Sequence, residues 1–225
     1  MLDRIKFEEV VSEGTHYGLV WRGVYDGEEV AVKMIQLDSG IHYDQRRGKY
    51  FDGGSEIGSR VPRVYKRNLG APFFHKEFVG RKSMDKRGFL DEVKAFKNLY
   101  RLGLGPKLFG YQVCEIHEIH YGFIVMRKMD CTVKDILVRR DLDRGEVDEI
   151  ERTIERMHKK GVVHNDLKPS NIGVVLGKSG GIRKCYFLDC QKVRFGGDQF
   201  RKSVKRDWAT FYRHWDKNRY DDRKN

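Results

Sequence analysis

Residues 162–175, VVHNDLKPSNIGVV, enclose a polar centre between two β-branched apolar runs, and within it Asp166, Lys168 and Asn171 follow at intervals of two and three. Runs of this kind read as buried strands. The residues between them therefore form a loop pinned to the core at both ends. Such a loop can offer a carboxylate to a hydroxyl nucleophile, an ammonium to a transferring phosphoryl group and an amide oxygen to a metal ion.

With 225 residues, 39% of them hydrophobic, the chain can bury one ordinary core or two small lobes, and it shows no internal repeat. Strand-like runs centre on Val10 and Val20, a turn falls at Asp26-Gly27, and VAVKMI favours a third strand. Over 36–82 the periodicity lapses, seven glycines occur, and Arg and Lys mix with Tyr and Phe, which marks a basic insertion. Apolar positions 89, 90, 93, 96 and 99 predict a helix over 85–102, ended by Gly103. Residues 111–113 and 121–126 read as the arms of a hairpin, and 132–137 as a short helix. Val147, Ile150, Ile154 and Met157 predict a second long helix over about 146–160, closed by Gly161.

The central loop resembles the H-R-D-L-K-x-x-N catalytic loop of eukaryotic-type protein kinases, with Asn165 in place of the Arg. Other elements of that family follow in order. Lys33 in VAVK is similar to the strand lysine that meets the α and β phosphates of ATP, and alternation puts Ala31 on its face, leaving room for adenine. SEGTHYGLVWRGV resembles the glycine-rich loop, although Gly14 and Gly18 stand four apart rather than three, and Val20 takes the place of the residue that caps the adenine. Glu92 on the first long helix matches the carboxylate that positions the lysine, with Glu77 as runner-up. Asp189 in CYFLDCQKV matches the metal-binding Asp of D-F-G, but Cys190 and Gln191 replace the Phe and Gly, so a motif fixed in one state is expected.

By the same resemblance Met126 is the gatekeeper, and Arg127, Lys128 and Met129 form the hinge whose backbone meets the adenine. Ile172 or Val174 would stand in for the large apolar residue that Gly173 lacks. Asp207 looks like the helix aspartate that braces the catalytic loop from below. No A-P-E motif follows Asp189, and only 36 residues remain.

Lys and Arg number 45 against 33 Asp and Glu, a formal charge of +12, which favours polyanionic partners. Residues 192–225 alone hold 11 Lys/Arg and 5 Asp/Glu among aromatic residues, so the insertion and the tail are candidate surfaces for an acidic partner or nucleic acid. No apolar run approaches the roughly 20 residues of a membrane span, and no membrane partner is expected. The N-terminus carries charge from its third residue. An intracellular location, cytoplasmic or nuclear, or host cytoplasm for a viral chain, is expected. The four cysteines, 114, 131, 185 and 190, form no C-x-x-C pair and read as reduced thiols. Cys114, His117 and His120 have ligand-like spacing but no clear fourth ligand, so no metal site is expected there.

The expected fold is α+β, a protein kinase-like two-lobed fold. Its N-lobe over 1–129 is β-rich with one helix and the insertion 36–82, and its helical C-lobe over 130–225 is truncated. The resemblance implies a compact, atypical member, similar to the casein-kinase-one-like group, the RIO family or minimal viral kinases. ATP and Mg2+ would bind, Lys33 and Glu92 orienting phosphates, Asn171 and Asp189 holding metal, and Asp166 and Lys168 acting on the transferred group. The implied reaction is transfer of the γ-phosphoryl to Ser or Thr of a protein, the chain itself included. Alternatives are a nucleotide-binding scaffold without transfer and a kinase-fold enzyme acting on a small molecule. Without the Arg before Asp166, activation through a phosphorylated loop is not expected.

Overall fold

A computed structural model describes residues 1–12, 18–37, 41–44, 49–52, 55–58, 84–116 and 119–220. The chain divides into two compact units, Met1–Asp91 with Leu108–Lys128, and Glu92–Lys107 with Met129–Asn225.

The first unit is built on an antiparallel sheet of β1 (Ile5–Ser12), β2 (Gly18–Tyr25) and β3 (Glu28–Gln36). The turn between β2 and β3 is the expected Asp26-Gly27 pair. Both residues take positive φ, 49° and 80°, the geometry of a two-residue hairpin whose twist matches its strands. After the strands β4 (Ile41–Asp44), β5 (Lys49–Asp52) and β6 (Ser55–Gly58) comes α1 (Lys86–Arg101), then β7 (Leu108–Ile116) and β8 (Ile119–Arg127). The main sheet runs β1-β2-β3-β8-β7.

Alternation along these strands separates two faces. Leu19, Trp21, Val30, Val32, Met34, Phe123 and Val125 face a core that also takes Leu2, Ile5 and Phe7. Fully burying each such side chain stabilises the unit by roughly 1.5–3 kcal/mol.

Three short strands inside 36–82 depart from the sequence reading. β4, β5 and β6 form a separate antiparallel sheet, with His42 opposite Phe51 and Tyr43 opposite Tyr50. Strands of four residues are too short to establish a period of two by eye. The flanks of this interval are joined, since Leu37 bridges Met84, and Met84 N donates to Gln36 O at 3.0 Å.

In α1, Asp85 Oδ1 accepts from Gly88 N at 2.5 Å, so this carboxylate caps the first turn. Phe89, Val93, Phe96 and Leu99 are buried as predicted, but Leu90 is 42% exposed, and Glu92, at 1% exposed, is buried with them. Gly103, at φ 68°, ends the helix.

The second unit holds β9 (Cys131–Thr132), α2 (Val133–Arg139), α3 (Arg144–Lys159), β10 (Val162–Val163), β11 (Ile172–Leu176), β12 (Ile182–Phe187), β13 (Arg194–Phe195) and α4 (Phe200–Tyr220). Sheet order is β12-β11-β9, with β10 and β13 a separate two-stranded ribbon. α3 begins two residues before the predicted start because Asp143 and Glu146 cap each other's backbone. Glu146 is also bound by Arg140 at 2.6 and 2.7 Å and accepts from Ile182 N at 3.0 Å, tying α3 to β12. These contacts hold its carboxyl at about 2, far below the usual carboxylate range. Gly161 closes α3 at φ 74°, as the sequence predicts.

Candidate active site

The polar centre of 162–175 is the connection between β10 and β11, as its flanking apolar runs require. Buried β10 enters it, and a 3-10 turn, Pro169–Asn171, leads into buried β11. Between them the backbone makes a sharp bend at Asn165, which adopts φ 60°. Asn tolerates this left-handed conformation better than other side chains except Gly.

A single carboxylate holds the bend. Asp207, on α4 and only 1% exposed, accepts from Asn165 N at 2.7 Å through Oδ1 and from His164 N at 2.8 Å through Oδ2, with His158 Nε2 3.2 Å away. Two backbone donors that the bend takes out of any ladder are thereby satisfied. Asp207 thus has the bracing contacts its resemblance implies.

His164 ties the loop to the chain before Asp189. Its Nε2 lies 2.8 Å from Leu188 O, and a carbonyl can only accept, so Nε2 carries the proton. Burial pushes the imidazole below its ordinary value and keeps it neutral. Leu188 N in turn donates to Asn171 O at 2.9 Å, so both ends of the loop grip residue 188. Asp189 follows at φ 52°, and Cys190–Lys192 coil into a 3-10 turn with Cys190 buried.

Asp166 emerges from this frame partly exposed, with the ammonium groups of Lys168 and Lys192 each 3.6 Å from its Oδ2. Asn171 Nδ2 donates to Asp166 O at 2.9 Å, which fixes the amide, and its Oδ1 accepts from Ser170 Oγ at 3.5 Å with a second lone pair left to ligate. Asp166, Lys168 and Asn171 are therefore brought together as predicted, on a loop whose far end is bonded to the residue before Asp189. Gly173 has a packing reason. A Cβ there would lie 2.5 Å from Met129 Cγ and 3.0 Å from Leu188 Cδ1, so these two side chains occupy the space beside Gly173, and Ile172 and Val174 on either side of it are buried.

In the first unit, strand register places Val20 opposite Lys33, Lys33 opposite Ile124, and Ala31 opposite Met126. Opposed residues share a face. Val20, Ala31, Lys33 and Met126 thus line one face, away from the core side chains. Lys33 is 3% exposed there, and Glu92, which falls in the second unit, is 1% exposed. Gly18 is the first residue of β2; a Cβ on it would stand 2.1 Å from Met34 O. Arg127 ends β8, Lys128 N donates to Glu29 O at 3.3 Å, and the division between the units falls between Lys128 and Met129. Gly14, Glu77 and His117 lie outside the described residues.

Two participants were not foreseen. Lys192 reaches Asp166 across 26 residues, and Arg206 NH2 donates to Asn165 Oδ1 at 2.5 Å across 41. Spacing along the chain carries no signal for either.

The sequence model of the lipopolysaccharide kinase (Kdo/WaaP) family matches residues 36–223. No curated protein matches the chain. The family match overturns the reading as a serine/threonine protein kinase and the expectation of a protein substrate, and with them the acidic or nucleic-acid partner. The roles that the resemblance gives Asp166, Lys168, Asn171 and Asp189 concern the hydroxyl proton, the phosphoryl group and the metal, which are common to sugar and protein acceptors, so the motif could not separate the two. The small-molecule alternative is the one that agrees with the family. Among the described residues no helix is long and apolar enough to cross a membrane. A braced Asp166 loop, a bound residue 188 ahead of Asp189 and a match over more than half of its length lead to one conclusion: the chain belongs to the lipopolysaccharide kinase (Kdo/WaaP) family, a kinase branch of the protein kinase-like superfamily with the corresponding α/β fold.

Proposed function

We propose that the chain transfers the γ-phosphoryl group of ATP to a hydroxyl of a lipopolysaccharide sugar. The observation that carries this reading is the setting of Asp166, on a loop braced by a buried carboxylate and flanked by two ammonium groups 3.6 Å from its Oδ2. The family supplies the class of acceptor.

The acceptor oxygen forms a bond to the γ-phosphorus as the bond to the β,γ-bridging oxygen breaks. That electron pair leaves with ADP, and the hydroxyl proton passes to the Asp166 carboxylate. Phosphoryl transfer demands positioning and charge stabilisation more than bond-making by the protein. Asp207 and His164 supply the positioning by fixing the loop, and Lys168 offsets negative charge on the transferring group.

Lys33 keeps the donor-phosphate role, with Glu92 as its acidic counterpart. Gly14 and Gly18 belong to the segment over the phosphates. Val20, Ala31 and Met126 serve the adenine, as does the backbone of Arg127, Lys128 and Met129. Asn171 and Asp189 fit Mg2+, because both offer the oxygen donors a hard cation prefers and the Asn171 amide is already fixed through its Nδ2. When bound, the cation neutralises charge on the donor phosphates.

Purified protein incubated with γ-labelled ATP, Mg2+ and rough-type lipopolysaccharide or free Kdo should label the saccharide, and Asp166→Asn should not. Casein serves as a protein acceptor and should stay unlabelled. A folded wild-type protein that labels no saccharide above the Asp166→Asn background would overturn the reading.

A further inference from the structure

The Asp166 carboxylate carries one negative charge, yet two ammonium groups face it. Lys168 follows it in the loop and is 31% exposed; Lys192 comes from the turn after Asp189 and is 62% exposed. Lys168 is the cation proposed for the transferring phosphoryl group, which leaves Lys192 as the ammonium beside Asp166 with no role toward the donor.

Lys192 is not a loose surface lysine at its base. Its carbonyl accepts from Asn165 Nδ2 at 3.0 Å, and Asn165 Oδ1 is held by Arg206 at 2.5 Å. Buried Cys190 and Val193 flank it in the 3-10 turn, and Arg194 then pairs with Val163 in the β10–β13 ribbon. The backbone of Lys192 is thus fixed while its side chain, 62% exposed, holds the ammonium in solvent 3.6 Å from the Asp166 carboxylate. Asn165 makes this bridge from the bend at φ 60° that Asp207 holds, a conformation that costs a non-glycine residue of order 1 kcal/mol or more.

The geometry points to Lys192 as a specificity residue whose ammonium receives a carboxylate or phosphate that the acceptor carries near the hydroxyl to be phosphorylated, with Asn165 as the positioning residue that sets its stem. An acceptor anion held by Lys192, whose ammonium lies 3.6 Å from Asp166 Oδ2, would fix the sugar's orientation toward that carboxylate. The inference rests on the proposed sugar-kinase activity and adds to it the charge the acceptor must carry.

The test compares acceptor pairs that differ only in charge: a Kdo glycoside against its carboxylate methyl ester, and a phosphorylated core oligosaccharide against the same material after dephosphorylation. Wild type should prefer the charged member of at least one pair, and which pair responds identifies carboxylate or phosphate as the recognised group. Lys192→Ala should raise KM for that charged acceptor by roughly ten- to hundredfold, the range for losing a charge-assisted hydrogen bond. Because Lys192→Ala also removes a cation 3.6 Å from Asp166, kcat should fall on charged and uncharged acceptors alike; the readout is therefore the ratio of charged to uncharged kcat/KM, which should fall, and Lys192→Arg should retain most of the preference.

Asn165→Gly, which allows the same backbone conformation, and Asn165→Asp, which keeps the acceptor for Arg206 but loses the donor to Lys192, should both shrink the ratio of charged to uncharged kcat/KM. A purely structural role would lower both alike. An unchanged ratio in Lys192→Ala, or a change confined to KM for ATP, overturns the inference while leaving the kinase reading standing. No saccharide phosphorylation by wild type would instead strike the kinase reading itself.

Discussion

Replacing Asp207 by Asn keeps the shape of the side chain and exchanges one acceptor oxygen for an NH2 donor. In the native site Oδ1 serves Asn165 N at 2.7 Å, and Oδ2 serves His164 N at 2.8 Å with His158 Nε2 3.2 Å away. An amide satisfies one of the two backbone donors and turns its own N–H groups toward the other. One charge-assisted bond is lost and one buried N–H is left without an acceptor, together roughly 2–4 kcal/mol. In a chain of this size each kcal/mol lowers the melting midpoint by about 2–4 °C, so Asp207→Asn should melt roughly 4–16 °C lower. Because the two donors lie immediately before Asp166, kcat should fall more than KM for either substrate changes. Asp216→Asn, on the exposed face of the same helix, is the control and should alter neither quantity. Thermal melts followed by circular dichroism, with steady-state kinetics on the same preparations, provide both readouts. An Asp207→Asn protein with wild-type midpoint and wild-type kcat would refute the claim that this carboxylate holds the loop.

Two further substitutions probe the frame. Gly18→Ala puts a methyl group 2.1 Å from a backbone oxygen, which cannot yield without parting β2 from β3, so a loss of roughly 2–4 kcal/mol is expected in urea unfolding; a change below about 0.5 kcal/mol, the scatter of neutral surface changes, would contradict the register. Glu146, with its carboxyl at about 2 against an ordinary 4.5, binds fewer protons folded than unfolded across that window. Its contribution is therefore complete above about pH 4.5 and is lost as pH falls toward 2, with a ceiling of about 3 kcal/mol that the partly exposed Arg140 reduces. Glu146→Gln should melt lower than wild type at pH 7 and converge with it near pH 2, and parallel melting curves across that range would exclude the mechanism.

Local chemistry was legible in the sequence wherever neighbours in the chain are neighbours in space. The Asp26-Gly27 turn, the stripe of α1, the Gly103 and Gly161 terminations and the pinned loop around Asp166 all belong to this class. Leu90 was misread because a stripe of helical spacing has edges, and its edge residue faces solvent. Lys192 and Arg206 were missed for a different reason: Lys192 meets Asp166 only after the chain has passed through β11 and β12, and Arg206 meets Asn165 only from α4. The acceptor class was misread for the same cause. Residues that handle the donor and the proton form a contiguous motif, whereas a residue such as Lys192, which would meet the acceptor, falls where the resemblance thins.

The bridge between Leu37 and Met84 bears on how tolerant this family's scaffold is of length change. With those two residues paired, residues 38–83 are an excursion that leaves from the end of β3, the central strand of the main sheet, and returns beside it. The entropy of closing such an excursion grows only with the logarithm of its length, so doubling it costs about 0.6 kcal/mol. Segments can therefore be gained or lost at this point with almost no thermodynamic penalty to β3 or α1. The junction is a socket at which evolution, or an engineer inserting a domain, can exchange one excursion for another without renegotiating the core.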